Sequence, residues 1–298
     1  MFKKVINFAV VKNRIMKKVY LFLFLACLAL GVYAALERYG AKEDPVSEDN
    51  NSGNVIGMVS QQGDGVGSGV MLARVPKGRR EQVIEHVGYT VSWNADWNIP
   101  NWVSYELTPA ETDGEENRKG SFEPDPLVVG DRIVHKDYKN DLGYDRGHMA
   151  PAADMKWSEQ AMEESFYTSN ICPQNHNLNC GDWKKLEDQV RLFATDFGGV
   201  WVVTGPIVKS TTNTLGTERK VVIPEAFYKV ILASFEGEYH GIGFIMKNVP
   251  KEGKWELEHY VVTIDEAEKA SGIDFFYQLD DSIEKRVEGN VDSDFWAI

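Results

Sequence analysis

The sequence predicts an α+β protein. Many short apolar or alternating runs have strand character, and the few helical patterns do not alternate with them in strict βα order. Composition agrees: 43% hydrophobic and 26% charged residues, with eight Trp, twelve Tyr and fourteen Phe, are enough to build a large core. The 298 residues have room for one large domain or two small ones, and no internal repeat divides them.

The first element is a targeting pattern. Lys17 and Lys18 precede an apolar run from Val19 to Leu30, and small residues follow at Gly31, Ala34 and Ala35. A positive region, an apolar region and a small-residue cleavage site make a secretory signal over residues 1–35, cut near Ala34. Export to the periplasm or the medium is therefore expected. The apolar stretch 19–35 is at the lower length limit for a bilayer span, so a retained signal anchor is the alternative, and with it the one expected membrane contact. The pattern is complete from Met16 onward, which makes Met16 a candidate true start.

Residues 36–82 are acidic and then rich in Gly, Ser, Asn and Gln, without apolar periodicity, and read as a flexible linker. The cluster Lys77-Gly78-Arg79-Arg80 within it reads as a solvated face or a protease-sensitive joint. The folded domain is expected over 83–298. Strands are predicted at 89–93, 102–107, 131–135, 201–208, 227–232, 239–246 and 258–263. A helix is predicted from Asp182 as N-cap, with Trp183, Leu186, Val190, Phe193 and Phe197 forming an apolar stripe at spacings of three and four. A shorter helix is predicted at 265–271.

Chemistry-bearing residues concentrate between Tyr144 and Arg191. His148 stands beside Arg146 and Gly147. The segment 169–179 holds Asn170, Asn175, Asn177, Asn179 and Gln174, amides suited to coordinating a metal, binding its waters or orienting a histidine; a turn-rich structural loop is the alternative. Glu187 and Arg191 lie one turn apart on the predicted helix, where a plain surface ion pair is the competing reading. A base, a hard-metal ligand and phosphate-binding cations together point to phosphodiester chemistry. An imidazole titrating near 6.5 can accept a proton at neutral pH. In an exported protein the pair Cys172 and Cys180 would form a disulfide bracketing this loop, with two buried thiols as the alternative. His86, His176, His240 and His259 lack ligand spacing and read as structural or surface residues. His135 is placed to support the motif, Asp145 to brace Arg146 or the motif backbone, and Asp141 and Asp154 to cap turns or helices.

The run Asp145-Arg146-Gly147-His148-Met149-Ala150-Pro151 resembles the signature of the sugar-non-specific DNA/RNA endonucleases, the ββα-metal or His-Me finger nucleases. The similarity continues through 169–174, Asn179-x-Gly-x-Trp-x-x-Leu-Glu187, 203–207, 223–229 and 260–264, and so covers roughly residues 83–280. The resemblance implies a ββα-metal site in a domain built around a central, mainly antiparallel sheet. It implies His148 as general base, Asn179 as direct ligand of Mg²⁺ (Mn²⁺ or another divalent ion in its place), and Glu187 as holder of a metal-bound water. Arg146 and Arg191 would bind the scissile phosphate and Asn170 would support the site. DNA and RNA are the implied substrates, and a homodimer is the implied assembly. Cys180 departs from the pattern, standing where Gln is common, at a position that is not a direct ligand.

Two other readings compete with the endonuclease: a phosphodiesterase acting on another phosphorylated substrate, and a catalytically silent surface-binding protein with the same fold. The net charge of −13 argues against a broadly basic nucleic-acid-binding face, and the chain beyond the lysine-bearing first 35 residues is more acidic still. It leaves room for a small basic groove on an acidic body.

Overall fold

The computed structural model describes residues 71–118, 120–139, 141–250 and 256–298, all within the compact unit Asp64–Ile298. The expected signal or anchor, the Met16 start and most of the linker lie outside the described residues. Residues 73–82, expected in that linker, already belong to the fold, because Ala73 is buried and pairs with Phe275.

In chain order the strands are β1 Ala73–Arg74, β2 Gln82–Glu85, β3 Thr90–Asn94, β4 Ile99–Leu107, β5 Tyr144–His148, β6 Ile171–Asn175 and β7 Val200–Ile207. They continue with β8 Thr214–Leu215, β9 Val221–Val222, β10 Ala226–Phe235, β11 Glu238–Lys247, β12 Val261–Val262 and β13 Asp274–Phe275. The helices are α1 Pro109–Thr112, α2 Glu159–Glu164, α3 His176–Leu178, α4 Lys184–Phe197, α5 Ile264–Ser271, α6 Asp281–Glu288 and α7 Ser293–Trp296.

Seven strands form one antiparallel sheet in the order β12-β11-β10-β7-β4-β3-β2. The α+β class and the central antiparallel sheet are as the sequence predicts. Side chains alternate across the sheet, so it feeds two cores. Val202, Phe227 and Ile231 join one core, with the α4 stripe Trp183, Leu186, Val190, Phe193 and Phe197. Trp201, Val203, Tyr228, Val230 and Leu232 join the other, with Ile264 and Ala267 of α5, Phe275 and Val287. Each large apolar side chain so buried stabilises the fold by about 1.5–3 kcal/mol, which fixes α4 flat against its face of the sheet. Gly198, at φ 83°, ends α4 in the left-handed conformation that suits glycine.

Four elements differ from expectation. Residues 131–135 are not a strand: Asp137 accepts the Val134 amide at 3.0 Å and starts a single helical turn at His135–Tyr138. The segment 258–263 is mostly a helical turn, Leu257–Tyr260, with only β12 in the sheet. Asp182 is not the cap of the long helix; it is buried and accepts the Tyr260 hydroxyl at 2.6 Å, while regular helix begins at Lys184. The amide-rich segment 169–179 is not a loop. Its first half is β6, which pairs with β5 from Tyr144↔Asn175 to His148↔Ile171, and its second half is helical. Hairpin and helix together give the ββα arrangement.

Candidate active site

The β5–β6 hairpin and the start of α4 enclose a cavity of about 290 Å³ lined by Arg146, His148, Asn179, Glu187 and Arg191, joined by Arg118, Cys180 and Lys184. Five residues singled out from the sequence thus meet in one place.

Local geometry explains the Arg-Gly-His run. Arg146 and His148, two apart on β5, both line the cavity. Between them Gly147 approaches Gln174 so closely that an added Cβ would lie 2.3 Å from its Oε1. Only glycine allows the two strands to meet there. Asn170 sits behind the cavity and is fully buried. Its Oδ1 accepts the Ala150 amide at 2.8 Å and its Nδ2 donates to the Ala150 carbonyl at 2.9 Å, so it clamps the backbone just beyond His148. Met149 adds a backbone bond to the Asn170 carbonyl at 2.9 Å.

His148 is 9% exposed, packs against Phe166 (ring centroids 5.1 Å) and Phe122 (5.4 Å), and its Nε2 has no hydrogen-bond partner. Burial lowers its pKa to about 3, assisted by the nearby Arg118 and Arg146 charges, so the imidazole is neutral across the physiological range.

Asn179 follows α3, just before Gly181 breaks the helical path at φ −107°, ψ −109°. Its Nδ2 donates to Asp145 Oδ2 at 2.9 Å. A carboxylate only accepts, so the amide nitrogen must face Asp145, and the amide oxygen is left to act as a ligand. Asp145 also accepts His176 Nδ1 at 2.9 Å. The expected partners of Asp145 are Arg146 or the motif backbone; its carboxylate instead orients Asn179, 34 residues away.

Beneath the cavity lies a charged layer. Arg191 pairs with Asp154 at 2.6 Å and with Asp188, so among the described residues it is not the partner of Glu187. Asp154 is fully buried and also accepts the Tyr105 hydroxyl at 3.0 Å; it is not the turn cap expected of it. Lys229 of β10 is fully buried, with Nζ 4.8 Å from the Trp183 ring centre and no hydrogen-bond partner. Burial depresses the Lys229 pKa and raises that of Glu187, each opposed by the other's charge. Arg146 reaches His135 Nε2 at 3.3 Å and lies over the Phe122 ring at 4.8 Å, with Nε unpartnered. Sequence reasoning gave no role to Arg118 or Lys229. Arg118 carries no motif signal, and Lys229 ends the quoted 223–229 run with nothing to mark its burial.

The expected disulfide is absent: Cys172 and Cys180 are free thiols. Cys172 is buried in the core from β6, where burial pushes its thiol pKa up, while Cys180 is exposed at the cavity, 3.8 Å from His176 Nε2. Seven residues of intervening strand and helix turn the two sulfurs to different environments.

A family model described as DNA/RNA non-specific endonuclease matches residues 67–282. "Nuclease EXOG, mitochondrial" of Danio rerio is 36% identical over 65% of this chain and 60% of that protein. "Endonuclease G, mitochondrial" of Homo sapiens is 34% identical over 58% of this chain and 62% of that protein. "Nuclease C1" of Cunninghamella echinulata var. echinulata is 33% identical over 68% and 86%. The chain spans about 60% of the length of the EXOG relatives from Danio rerio and Xenopus laevis. A solved structure described as the EndoG/EndoGI complex superposes with a TM-score of 0.63 at 27% identity, covering 68% of this chain and 89% of its own. The mitochondrial names of the EXOG and endonuclease G relatives overturn the expectation of export. No helix among the described residues is long and apolar enough to cross a membrane.

Proposed function

The chain belongs to the DNA/RNA non-specific endonuclease family, and from that premise we propose that it is a divalent-metal-dependent endonuclease hydrolysing phosphodiester bonds within DNA and RNA. The observation that carries this reading is one cavity lined by an imidazole and by an amide whose oxygen is oriented by a carboxylate. Neutral His148 is the general base, taking a proton from the attacking water on its imidazole ring. Arg146 and Arg118 receive the phosphate oxygens, being the cavity arginines not committed to a carboxylate among the described residues. Arg191, held by Asp154 and Asp188, is a positioning residue that keeps the start of α4 in place. Asn170 acts through the backbone, fixing the turn after His148.

The donor set fits a hard cation. Asn179 Oδ1 would bind it directly and Glu187 would hold one of its waters, which matches the oxygen preference and retained hydration of Mg²⁺. Mg²⁺, or Mn²⁺ in its place, supplies charge neutralisation at the phosphate oxygens when bound. Recognition through phosphates carries no base information, so cleavage of low sequence specificity follows.

The test is cleavage of closed circular plasmid and of a long RNA, with divalent metal and with chelator. Nicking and smearing of both that chelator abolishes are expected. Folded protein that cleaves neither polymer with Mg²⁺, Mn²⁺ or Ca²⁺ overturns the reading.

A further inference from the structure

On the face of the sheet opposite α4, three carboxylates converge. Asp265 and Glu268 are three apart on α5 and so share one side of that helix, and Glu288 is the last residue of α6. One carboxylate oxygen from each lies within 4.8 Å of the others. A cluster of acids alone would be unremarkable on an acidic surface. Glu288 makes it otherwise: it is 7% exposed, and its Oε1 is buried with no hydrogen-bond partner. Burying a carboxylate without a partner is costly, and the cost is normally met by a cation or a hydrogen bond.

Among the described residues no cation pairs with the cluster. The charges acting on Glu268 and Glu288 are the carboxylates of Asp265, Asp274 and Glu284 and one another. The nearby Arg74 is engaged by Asp274 at 3.3 Å. Glu268 spends one oxygen on the Phe275 amide at 2.8 Å and keeps the other. Burial and mutual repulsion push Glu268 to about 7 and Glu288 to about 8, the direction expected of carboxylates that need a counter-charge.

Carboxylate oxygens are hard ligands. Ca²⁺ accepts several of them in flexible geometry, whereas Mg²⁺ demands near-ideal octahedral geometry and keeps its waters, so three carboxylates from two helices suit Ca²⁺. We propose that Asp265, Glu268 and Glu288 bind a Ca²⁺ ion that ties α5 to the end of α6, a structural site separate from the nuclease cavity.

The test is thermal unfolding of the full chain after chelation, titrated with Ca²⁺ and separately with Mg²⁺, for wild type, Glu288→Gln and Asn179→Ala. At a hundred times the Kd, Ca²⁺ should raise the melting temperature by roughly 5–10 °C in wild type and in Asn179→Ala, and not in Glu288→Gln. Above about pH 8, where Glu288 is ionised, Glu288→Gln should itself melt above metal-free wild type, since it removes a buried unpaired charge. Should that variant fail to fold, Asp265→Asn, at an exposed position, is expected to weaken Ca²⁺ binding at least tenfold. Plasmid cleavage by Glu288→Gln and by Asp265→Asn should match wild type. An equal Ca²⁺ response in wild type and Glu288→Gln, no response up to millimolar Ca²⁺, or Mg²⁺ acting as strongly as Ca²⁺ would overturn the site.

Discussion

Around the cavity beside α4, Asp145 and Asp154 face matched partners: Asp145 holds Asn179 and His176, and Asp154 holds Arg191 and Tyr105. In the corner between α5 and α6, Asp265, Glu268 and Glu288 face one another. The groups left unpaired differ in kind. In and beneath the cavity they include Arg146 Nε, Lys229 Nζ and His148 Nε2, with both amide atoms of Gln174 in the hairpin; in the corner it is the acceptor Glu288 Oε1. Burial shifts both regions toward the neutral form, lowering the imidazole pKa and raising the carboxyl ones. These groups fit the ligands proposed for each region: a metal-bound phosphate in the cavity and a cation alone in the corner.

The comparison breaks first, and most, at His148. His148→Ala should lower the cleavage rate on the order of 10²–10⁴-fold with the fold intact, measured as initial plasmid nicking beside circular dichroism. A drop of less than tenfold would remove it as the base.

Asp145→Asn should cost about 10–100-fold in metal affinity or activity, because a neutral amide no longer dictates which end of Asn179 faces the metal. The loss should appear as a higher Mg²⁺ requirement, read from rate against metal concentration, and part of it should return at high Mg²⁺. A variant with unchanged metal dependence would leave Asp145 with a merely structural role.

A smaller effect concerns pH. The native His148 pKa is depressed to about 3, so between the unfolded value near 6.5 and that limit the unfolded chain binds the extra proton. Stability therefore falls as pH drops through that window, by at most about 1.4 kcal/mol per pH unit from this group. Urea unfolding at several pH values between 4 and 7 should show a shallower acid loss in His148→Phe than in wild type. Parallel curves would contradict the depressed pKa.

Much of the fold was legible because burial leaves a periodic trace. The stripe 183, 186, 190, 193 and 197 is the buried face of α4 and its entry, and β3, β4, β7, β10 and β11 fall on runs of apolar or alternating residues. The site hairpin leaves no such trace. Tyr144–His148 is mostly polar and Ile171–Asn175 contains a proline and two amides, so its pairing depends on Gly147 lying against Gln174 rather than on an apolar face. Residues 131–135 failed in the opposite way: Ile133 and Val134 look like a strand, but Asp137 turns the chain. The motif residues of the cavity could be found from their order and spacing. Their supports could not: Asp145 meets Asn179 across 34 positions and Asp154 meets Arg191 across 37, contacts that no local pattern announces. The two cysteines invited a bridge by number alone, and their opposite burial is set by the hairpin that the sequence hid.

The proposed role of a neutral His148, removing the proton from water in a metal-dependent phosphodiester cleavage, is tested most directly by chemical rescue of His148→Gly: plasmid nicking is measured with Mg²⁺ and rising imidazole, at several pH values. Saturable recovery that follows the neutral fraction of imidazole and vanishes with chelator is expected. A folded His148→Gly protein that imidazole does not rescue, or that cleaves at the wild-type rate without it, would contradict the claim.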